Sequence, residues 1–337
     1  MILVTGATGI LGRVIVLELL KRGKTVRATK RKSSNLQEVR KSFQFYTETP
    51  NEYFDSIEWI EVDFEDIHSL QNALNGVEEV YHCAAKVSFH PKDEKKMYQT
   101  NIEGTKQLLF ACQNSSVKKF LFVSSIAVLD GLNENGELDE SSDFNPKIDH
   151  SAYAISKHFS EMEVWRASAE GLNTVIVNPG LIIGSGNWKE SSGTLFMEFE
   201  KNDYTFSGGT SYVDVRDVAQ ISIELMEKNI FGERFILISE NKKYQDVANF
   251  IKQKLGKPTV KIVPNNLLKV GVFLNTILGW LISPLKMANK VNVQSVTEFN
   301  KISNKKIKDK LNYQFITVEE SLAFHLENYL KRKEVGS

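Results

Sequence analysis

At 337 residues the chain can bury a large core, in one large domain or in a main domain with a smaller partner. Its 42 basic and 42 acidic side chains cancel, which argues against a global field for nucleic acid or an acidic membrane. Its two cysteines, Cys83 and Cys112, lie in apolar stretches and suit a reducing compartment rather than a disulfide scaffold. No basic-then-apolar leader precedes the first strand, so a cytoplasmic location is expected.

The opening stretch, MILVTGATGILG, organises the rest. Ile2 to Val4 is a short β-prone run. Gly6, Gly9 and Gly12 follow at intervals of three. Ile10, Leu11, Val14, Ile15, Leu19 and Leu20, set against Arg13, Glu18, Lys21 and Arg22, predict an amphipathic helix closed by Gly23. Strand, glycine turn and helix make a seat for a dinucleotide pyrophosphate, because a helix N-terminus offers free N–H groups and the positive end of its dipole. Gly6 allows the tight turn, Gly9 the close approach of phosphate, and Gly12 the packing of helix on strand. Thr8, Ile10 and Leu11 complete the seat.

Residues 24–29 read as a second strand. Lys30, Arg31 and Lys32 follow with no acid nearby, a pattern that favours NADP through a contact to its 2′-phosphate, with NAD as the alternative. Residues 33–56 predict a helix and loop over the sheet edge. Residues 56–62 alternate as a strand ending at Asp63, placed to meet the adenine amino group, with Phe64 beside it. Asp66 reads as the N-cap of a helix over 67–75 that Gly76 ends. The strand 79–83 leads into Ala84 and Ala85, small enough for a flat ring to pass close to the backbone. His82, within that apolar strand, reads as a core histidine with a satisfied hydrogen bond. No companion His or Cys stands at ligand spacing, so no metal site is expected.

A helix over 98–112 and a strong buried strand over 119–125 follow, the latter ending in Ser124 and Ser125. Residues 130–150 are polar and predict a long loop over the C-terminal edge of the sheet, where α/β proteins bind ligands. On the next helix, 151–166, Tyr153 and Lys157 are one turn apart and share a face. The strand 173–178 ends at Pro179–Gly180, with Pro179 a further cofactor-binding candidate. Further elements are a strand near 212–218 running into a helix to 227, a strand over 234–238 and a helix over 244–255. The stretch 267–285 is the most apolar in the chain. Its lysine, glycines and proline argue against a membrane span, and a core helix or pocket wall is expected rather than a membrane-surface contact. An amphipathic helix closes the chain.

Ser125, Tyr153 and Lys157 form a proton-transfer set. A phenol of ordinary pKa about 10 is a poor base at neutral pH, but a neighbouring ammonium lowers that value and stabilises the phenolate. The serine orients the substrate oxygen.

The chain resembles the extended short-chain dehydrogenases/reductases, the group of NAD-dependent epimerase/dehydratases and dihydroflavonol reductase-like enzymes. The resemblance is carried nearly end to end by TGATGILG at 5–12, DFED at 63–66, HCAA at 82–85, VSS at 123–125, YAISK at 153–157, NPGLIIGSG at 178–186 and YVDVRDVA at 212–219. It implies Tyr153 as acid/base, Lys157 on the nicotinamide ribose and Ser125 as the substrate-orienting serine. It implies Asp63 at the adenine, Ala84 near the cofactor and a structural or relay role for Asn101. VRATKR at 26–31 looks like the dihydroflavonol reductase branch, where Arg31 meets the 2′-phosphate. One departure is Leu129, where sugar-nucleotide epimerases tend to carry a tyrosine.

The expected fold is α/β: a doubly wound parallel (Rossmann) sheet over 1–178 plus 205–240, with a smaller substrate-binding domain from 179–204 plus 241–330. The expected activity is NADP(H)-dependent interconversion of a carbonyl and an alcohol on a small, fairly apolar substrate. The alternative is an NDP-sugar epimerase or dehydratase with tightly bound NAD. A third reading is a non-catalytic NADP-binding sensor, which the intact Tyr153 and Lys157 disfavour. A homodimer through the helices around 100–112 and 153–167 is expected from the resemblance.

Overall fold

The computed structural model describes residues 1–188, 191–278 and 286–335. The first half alternates short apolar strands with helices: β1 (Ile2–Thr5), α1 (Ile10–Lys21), β2 (Val26–Lys30), α2 (Leu36–Phe43), α3 (Pro50–Asp55), β3 (Glu58–Glu61), α4 (Ile67–Ala73), β4 (Glu79–His82), α5 (Glu94–Tyr98), α6 (Gly104–Gln113), β5 (Lys119–Val123), α7 (Ala152–Ala169) and β6 (Asn173–Pro179). The second half holds β7 (Leu181–Ile183), α8 (Leu195–Lys201), β8 (Tyr204–Thr205), β9 (Gly209–Asp214), α9 (Val215–Glu227), β10 (Glu233–Leu237), β11 (Glu240–Lys243) and α10 (Tyr244–Lys254). It closes with β12 (Lys261–Ile262), α11 (Asn265–Leu278), α12 (Lys290–Thr297), α13 (Lys305–Leu311) and α14 (Val318–Val335).

Strands buried on both faces need cover on both sides, and crossover helices supply it. The result is the expected doubly wound α/β fold: seven parallel strands in the order β10-β6-β5-β4-β1-β2-β3. Val14 and Ile15 of α1 join Val218 and Ile221 of α9 in one core layer. Leu70 of α4, Leu108 of α6 and Val164 of α7 belong to the opposite layer. The chain runs outward from β1 through β2 to β3, then resumes on the other side of β1 with β4. The boundary between the paired strands β1 and β4 is the topological switch point, where open sheets of this kind bind ligands beyond their strand C-termini. A smaller three-stranded sheet, β11-β9-β7, packs with α10 and α14 around Tyr212, Ile251 and Leu322.

Several local expectations are modified. Residues 33–56 hold two helices, α2 and α3, rather than one helix and a loop. The strand expected at 212–218 starts earlier, at Gly209, and stops at Asp214, whose carboxylate caps α9 by accepting the Arg216 N–H at 2.8 Å. β9 pairs in the smaller sheet, although it lies within the 205–240 stretch grouped above with the dinucleotide-binding part.

The apolar stretch 267–285 also departs from its reading as a core helix or pocket wall. Its beginning forms α11, whose Leu267 and Phe273 are 61% and 64% exposed, with Val270 and Leu274 exposed beside them. An apolar composition shows that a surface needs cover, but not that the chain itself provides it. Residues 279–285 lie outside the described residues. No described helix is long and apolar enough to cross a membrane.

Candidate active site

The glycine turn after β1 is built from three different contacts. Gly6 has φ of +65°, and a Cβ there would stand 2.6 Å from the Ala84 nitrogen, so the turn lies against the end of β4. A Cβ on Gly12 would meet the Gly6 carbonyl oxygen at 2.3 Å, so α1 closes onto the turn itself rather than onto the strand. Gly9 differs from both. It adopts extended backbone, φ −76° and ψ 170°, and the nearest atom to its imagined Cβ is the Gly6 oxygen at 3.1 Å. It is the N-cap of α1, with no side chain capping the helix and no acid in its first turn. The first-turn amides of Ile10 and Leu11 are therefore left without a capping side chain, as an anion seat requires. These features fit a dinucleotide pyrophosphate. Thr8 contributes its carbonyl to the support of the turn, by accepting from Arg13.

Arg13 was not singled out from the sequence, yet it braces this seat. Its guanidinium is 1% exposed, donates to the Gly9 carbonyl and forms a two-pronged pair with Glu38, both bonds 2.8 Å. Glu38 also accepts the Asn187 amide at 2.8 Å. Burial acts to raise the Glu38 pKa, but Arg13 outweighs it and holds the carboxyl below its usual range.

The remaining cofactor candidates lie at the C-terminal ends of strands of the large sheet or in the segments that follow them. Arg31 follows directly on β2 and is exposed; Lys30 beside it is paired with Glu61 at 3.5 Å. Asp63 is exposed and folded into its own turn, its carboxylate accepting the Glu65 amide at 3.0 Å. Phe64 packs against Gly104 and the His82 ring rather than standing open. Ala84 donates its amide to the Thr5 hydroxyl at 3.3 Å, and Ala85 is exposed. Pro179 is buried at the end of β6, paired with Leu237.

Ser151 caps α7 by accepting the Ala154 amide at 3.2 Å, which puts Tyr153 in the first turn. Ser125 stands near enough to the Tyr153 hydroxyl to act to lower its pKa, but burial dominates and the phenol lies above its ordinary value. The Phe89 ring stands edge-on to Tyr153, centroids 6.4 Å apart. Ser125 and Ser124 are distinguished by burial: Ser124 is 4% exposed beneath the site, whereas Ser125 is half-buried and faces the phenol. Lys157, 3% exposed, donates to the Val123 carbonyl at 2.7 Å and lies over the Phe122 ring. Burial lowers its pKa to about 8. Ser125 and Tyr153 are thus together, while the Lys157 ammonium is held one turn behind them, on the backbone of β5.

Two further residues fix this floor. Glu161, one turn beyond Lys157 and 1% exposed, accepts from the Asn178 amide nitrogen at 2.7 Å. The same nitrogen donates to the Ser125 carbonyl at 3.1 Å, tying the end of β6 to the serine. Burial raises the Glu161 pKa. The i, i+4 series Tyr153, Lys157, Glu161 was the available sequence signal.

Asn101 lies in a π-helical turn, Gln99–Glu103, between α5 and α6. Its side chain accepts the Lys86 amide at 2.7 Å and donates to the Lys86 carbonyl and to Ser156, both at 2.9 Å. Its carbonyl accepts from the Thr105 and Ser160 hydroxyls. Because the Thr105 proton is committed there, Nε2 of His82 carries hydrogen and donates to Thr105 at 3.0 Å, while Nδ1 accepts from Thr5 at 2.7 Å. His82 is the satisfied core histidine expected, with burial holding its pKa down at about 3. No group of three metal-ligating side chains occurs among the described residues.

A family model for the NAD-dependent epimerase/dehydratase family matches residues 2–237. The chain belongs to that family. It is similar to sterol demethylase protein B of Methylococcus capsulatus, 29% identical over 271 residues that cover 79% of this chain and 78% of that one. It is similar to a putative dihydroflavonol 4-reductase of Synechocystis, 29% identical over 268 residues, 77% of this chain and 73% of that one. Among solved structures it resembles the crystal structure of gox2253, with a TM-score of 0.82 and 25% identity over 98% of both chains. This family member is an NAD(P)-dependent oxidoreductase of the extended short-chain dehydrogenase/reductase superfamily, in its dihydroflavonol reductase-like branch.

Proposed function

We propose that the enzyme interconverts a carbonyl and an alcohol on a small, fairly apolar substrate, with NADP(H) as its cofactor. The observation that carries this reading is Tyr153 near Ser125, one helical turn from the buried Lys157, in a chain whose glycine turn leaves the start of α1 without a side-chain cap. The Gly6–Gly12 turn with the Ile10 and Leu11 amides would hold the pyrophosphate, and Asp63, Phe64, Ala84, Ala85 and Pro179 would flank the remainder. When bound, the nicotinamide supplies or accepts the hydride. Tyr153 gives or takes the proton at the substrate oxygen, and Ser125 holds that oxygen beside the phenol. Lys157 would leave the Val123 carbonyl to hold the nicotinamide ribose, and its positive charge would then oppose the effect of burial on the phenol. Arg31, exposed after β2, would meet the 2′-phosphate, and this favours NADP over NAD.

The reductase names of the relatives support a carbonyl/alcohol reaction over the alternative, sugar-nucleotide epimerisation with retained NAD. The proposed division is a dinucleotide-binding part, 1–178 plus 205–240, and a substrate part, 179–204 plus 241–330, with β9 at their junction. A homodimer through α6 and α7 is supported by Phe110, Phe159 and Met162, which are exposed on those helices. The two free thiols, Cys83 and Cys112, fit a reducing compartment such as the cytoplasm. The test is to identify the nucleotide that co-purifies and to follow NADPH consumption with a panel of aldehydes and ketones. Steady consumption supports the reductase. Retained NAD, with sugar-nucleotide turnover and no net cofactor change, overturns it.

A further inference from the structure

The exposed face of α11 is not explained by the reaction. Leu267, Val270 and Leu274 fall at i, i+3 and i+7, with Phe273 adjoining them, so they form one outward stripe on the helix. At one flank of the stripe a Cβ on Gly271 would touch the methyl of Ala288, just ahead of α12, at 3.5 Å. The ribbon that leads into α11 continues the surface: Ile262 of β12 and Tyr204 of β8 are both exposed.

Charge separates this region from the rest of a neutral chain. From Val247 to Thr297 there are seven lysines and not one aspartate or glutamate. Lys252 is used internally, holding Asp203 at 2.8 Å, the acid beside the ribbon. Lys261 at the entry to α11, Lys269 on it and Lys290 at the start of α12 are exposed. Lys290 approaches Asp149 at 3.8 Å, both side chains largely in solvent. Exposed apolar side chains flanked by long cationic ones match the boundary of an anionic bilayer, where the stripe enters the acyl region and lysines reach back to phosphates.

We propose that α11 docks the enzyme on an anionic lipid surface, lying on the membrane rather than crossing it. α12, which packs against α11, reaches the active-site side of the molecule. Asn292 of α12 donates to the Phe89 carbonyl at 3.2 Å, and the Phe89 ring borders Tyr153. One consequence, which rests on the function proposed above, is that the substrate is a lipid-partitioned carbonyl or alcohol that enters from the bilayer side.

The test uses the full chain and phosphatidylcholine vesicles, with and without phosphatidylglycerol, in a co-sedimentation assay that needs no enzyme activity. The wild type should sediment with the anionic vesicles, less so at high salt. Leu267→Gln combined with Phe273→Gln should reduce the bound fraction on the order of tenfold, through lost apolar burial. Lys261→Gln combined with Lys269→Gln should reduce it several-fold on anionic vesicles only. Unchanged thermal melting and NADPH binding would show that the variants are folded. A wild type that stays in the supernatant with anionic vesicles overturns the proposal, as do variants that bind like it. Light scattering that shows concentration-dependent self-association, lost in the Leu267/Phe273 variant and unaffected by lipid, would assign the face to a second copy and equally overturn it.

Discussion

The last two glycines of the Gly6–Gly12 turn should fail in opposite ways. An alanine methyl at Gly12 would lie 2.3 Å from the Gly6 oxygen, 2.8 Å from its carbonyl carbon and 3.0 Å from the Ala7 Cα, all backbone atoms. Backbone cannot rotate away, so the turn and α1 must separate. Overpacking of this kind costs about 1–3 kcal/mol, more than the roughly 1 kcal/mol that alanine gains over glycine within a helix. At Gly9 the backbone already suits an L-residue, and the methyl would meet only the Gly6 oxygen at 3.1 Å. Gly9→Ala should therefore change the intrinsic stability by no more than about 1 kcal/mol. Its methyl would, however, fill the space through which phosphate must approach. A loss of affinity on the order of 100-fold follows if the pyrophosphate retreats from the Ile10 and Leu11 amides. The assay is thermal melting with and without NADPH. At 100 times its Kd a ligand stabilises by about 2.7 kcal/mol; after a 100-fold loss, the same concentration gives only about 0.4 kcal/mol. Gly9→Ala should melt like the wild type alone and lose most of the NADPH shift, whereas Gly12→Ala should melt early with or without cofactor. A Gly9→Ala protein that keeps the full NADPH shift would refute the assignment of phosphate to that space.

Arg31→Ala should weaken NADPH about tenfold or more and leave NADH nearly unchanged, measured by titration of each nucleotide; equal losses would reduce the basic turn to a solvated surface. Arg13→Met removes the brace from Gly9 and leaves Glu38 unpaired. Because Glu38 is 37% exposed, water recovers part of the loss, and a destabilisation of about 1–3 kcal/mol in urea unfolding is expected. No change there would mean that the brace is redundant. His82 predicts a pH dependence. Its folded pKa, about 3, lies below its unfolded value, so the unfolded chain takes up the proton first as the pH falls. The stability present above about pH 6.5 is lost toward pH 3, at up to about 1.4 kcal/mol per pH unit from this group. His82→Gln should remove about that much slope between pH 6 and about 4 in urea-unfolding measurements. An unaltered slope would mean that the ring is not held neutral.

The frame was readable because its signals are local. An apolar run, a glycine at a tight turn and an amphipathic helix are each written within a dozen residues, and repeating them dictates a parallel sheet. His82 was readable for a related reason, since a polar residue inside an apolar strand must find partners. The supports of the site were less legible. Arg13 meets Glu38 across 25 residues, and Asn178 reaches Ser125 across 53, and neither separation has a periodicity. The position of Lys157 was hidden too: helical spacing shows that it shares a face with Tyr153, but not that its ammonium rests on the Val123 carbonyl. For α11, composition indicated a need for burial that the other described residues do not satisfy.

The most direct test of the central claim is Tyr153→Phe, with NADPH affinity and turnover measured on the same preparation. Removing one oxygen from a half-buried ring leaves the glycine turn untouched, so the Kd for NADPH should stay within about twofold of the wild type. Turnover should fall by about 10²–10⁴, the usual size of an acid–base contribution. A variant that binds NADPH normally and turns over at the wild-type rate would show that the proton moves by another route, and would contradict the account.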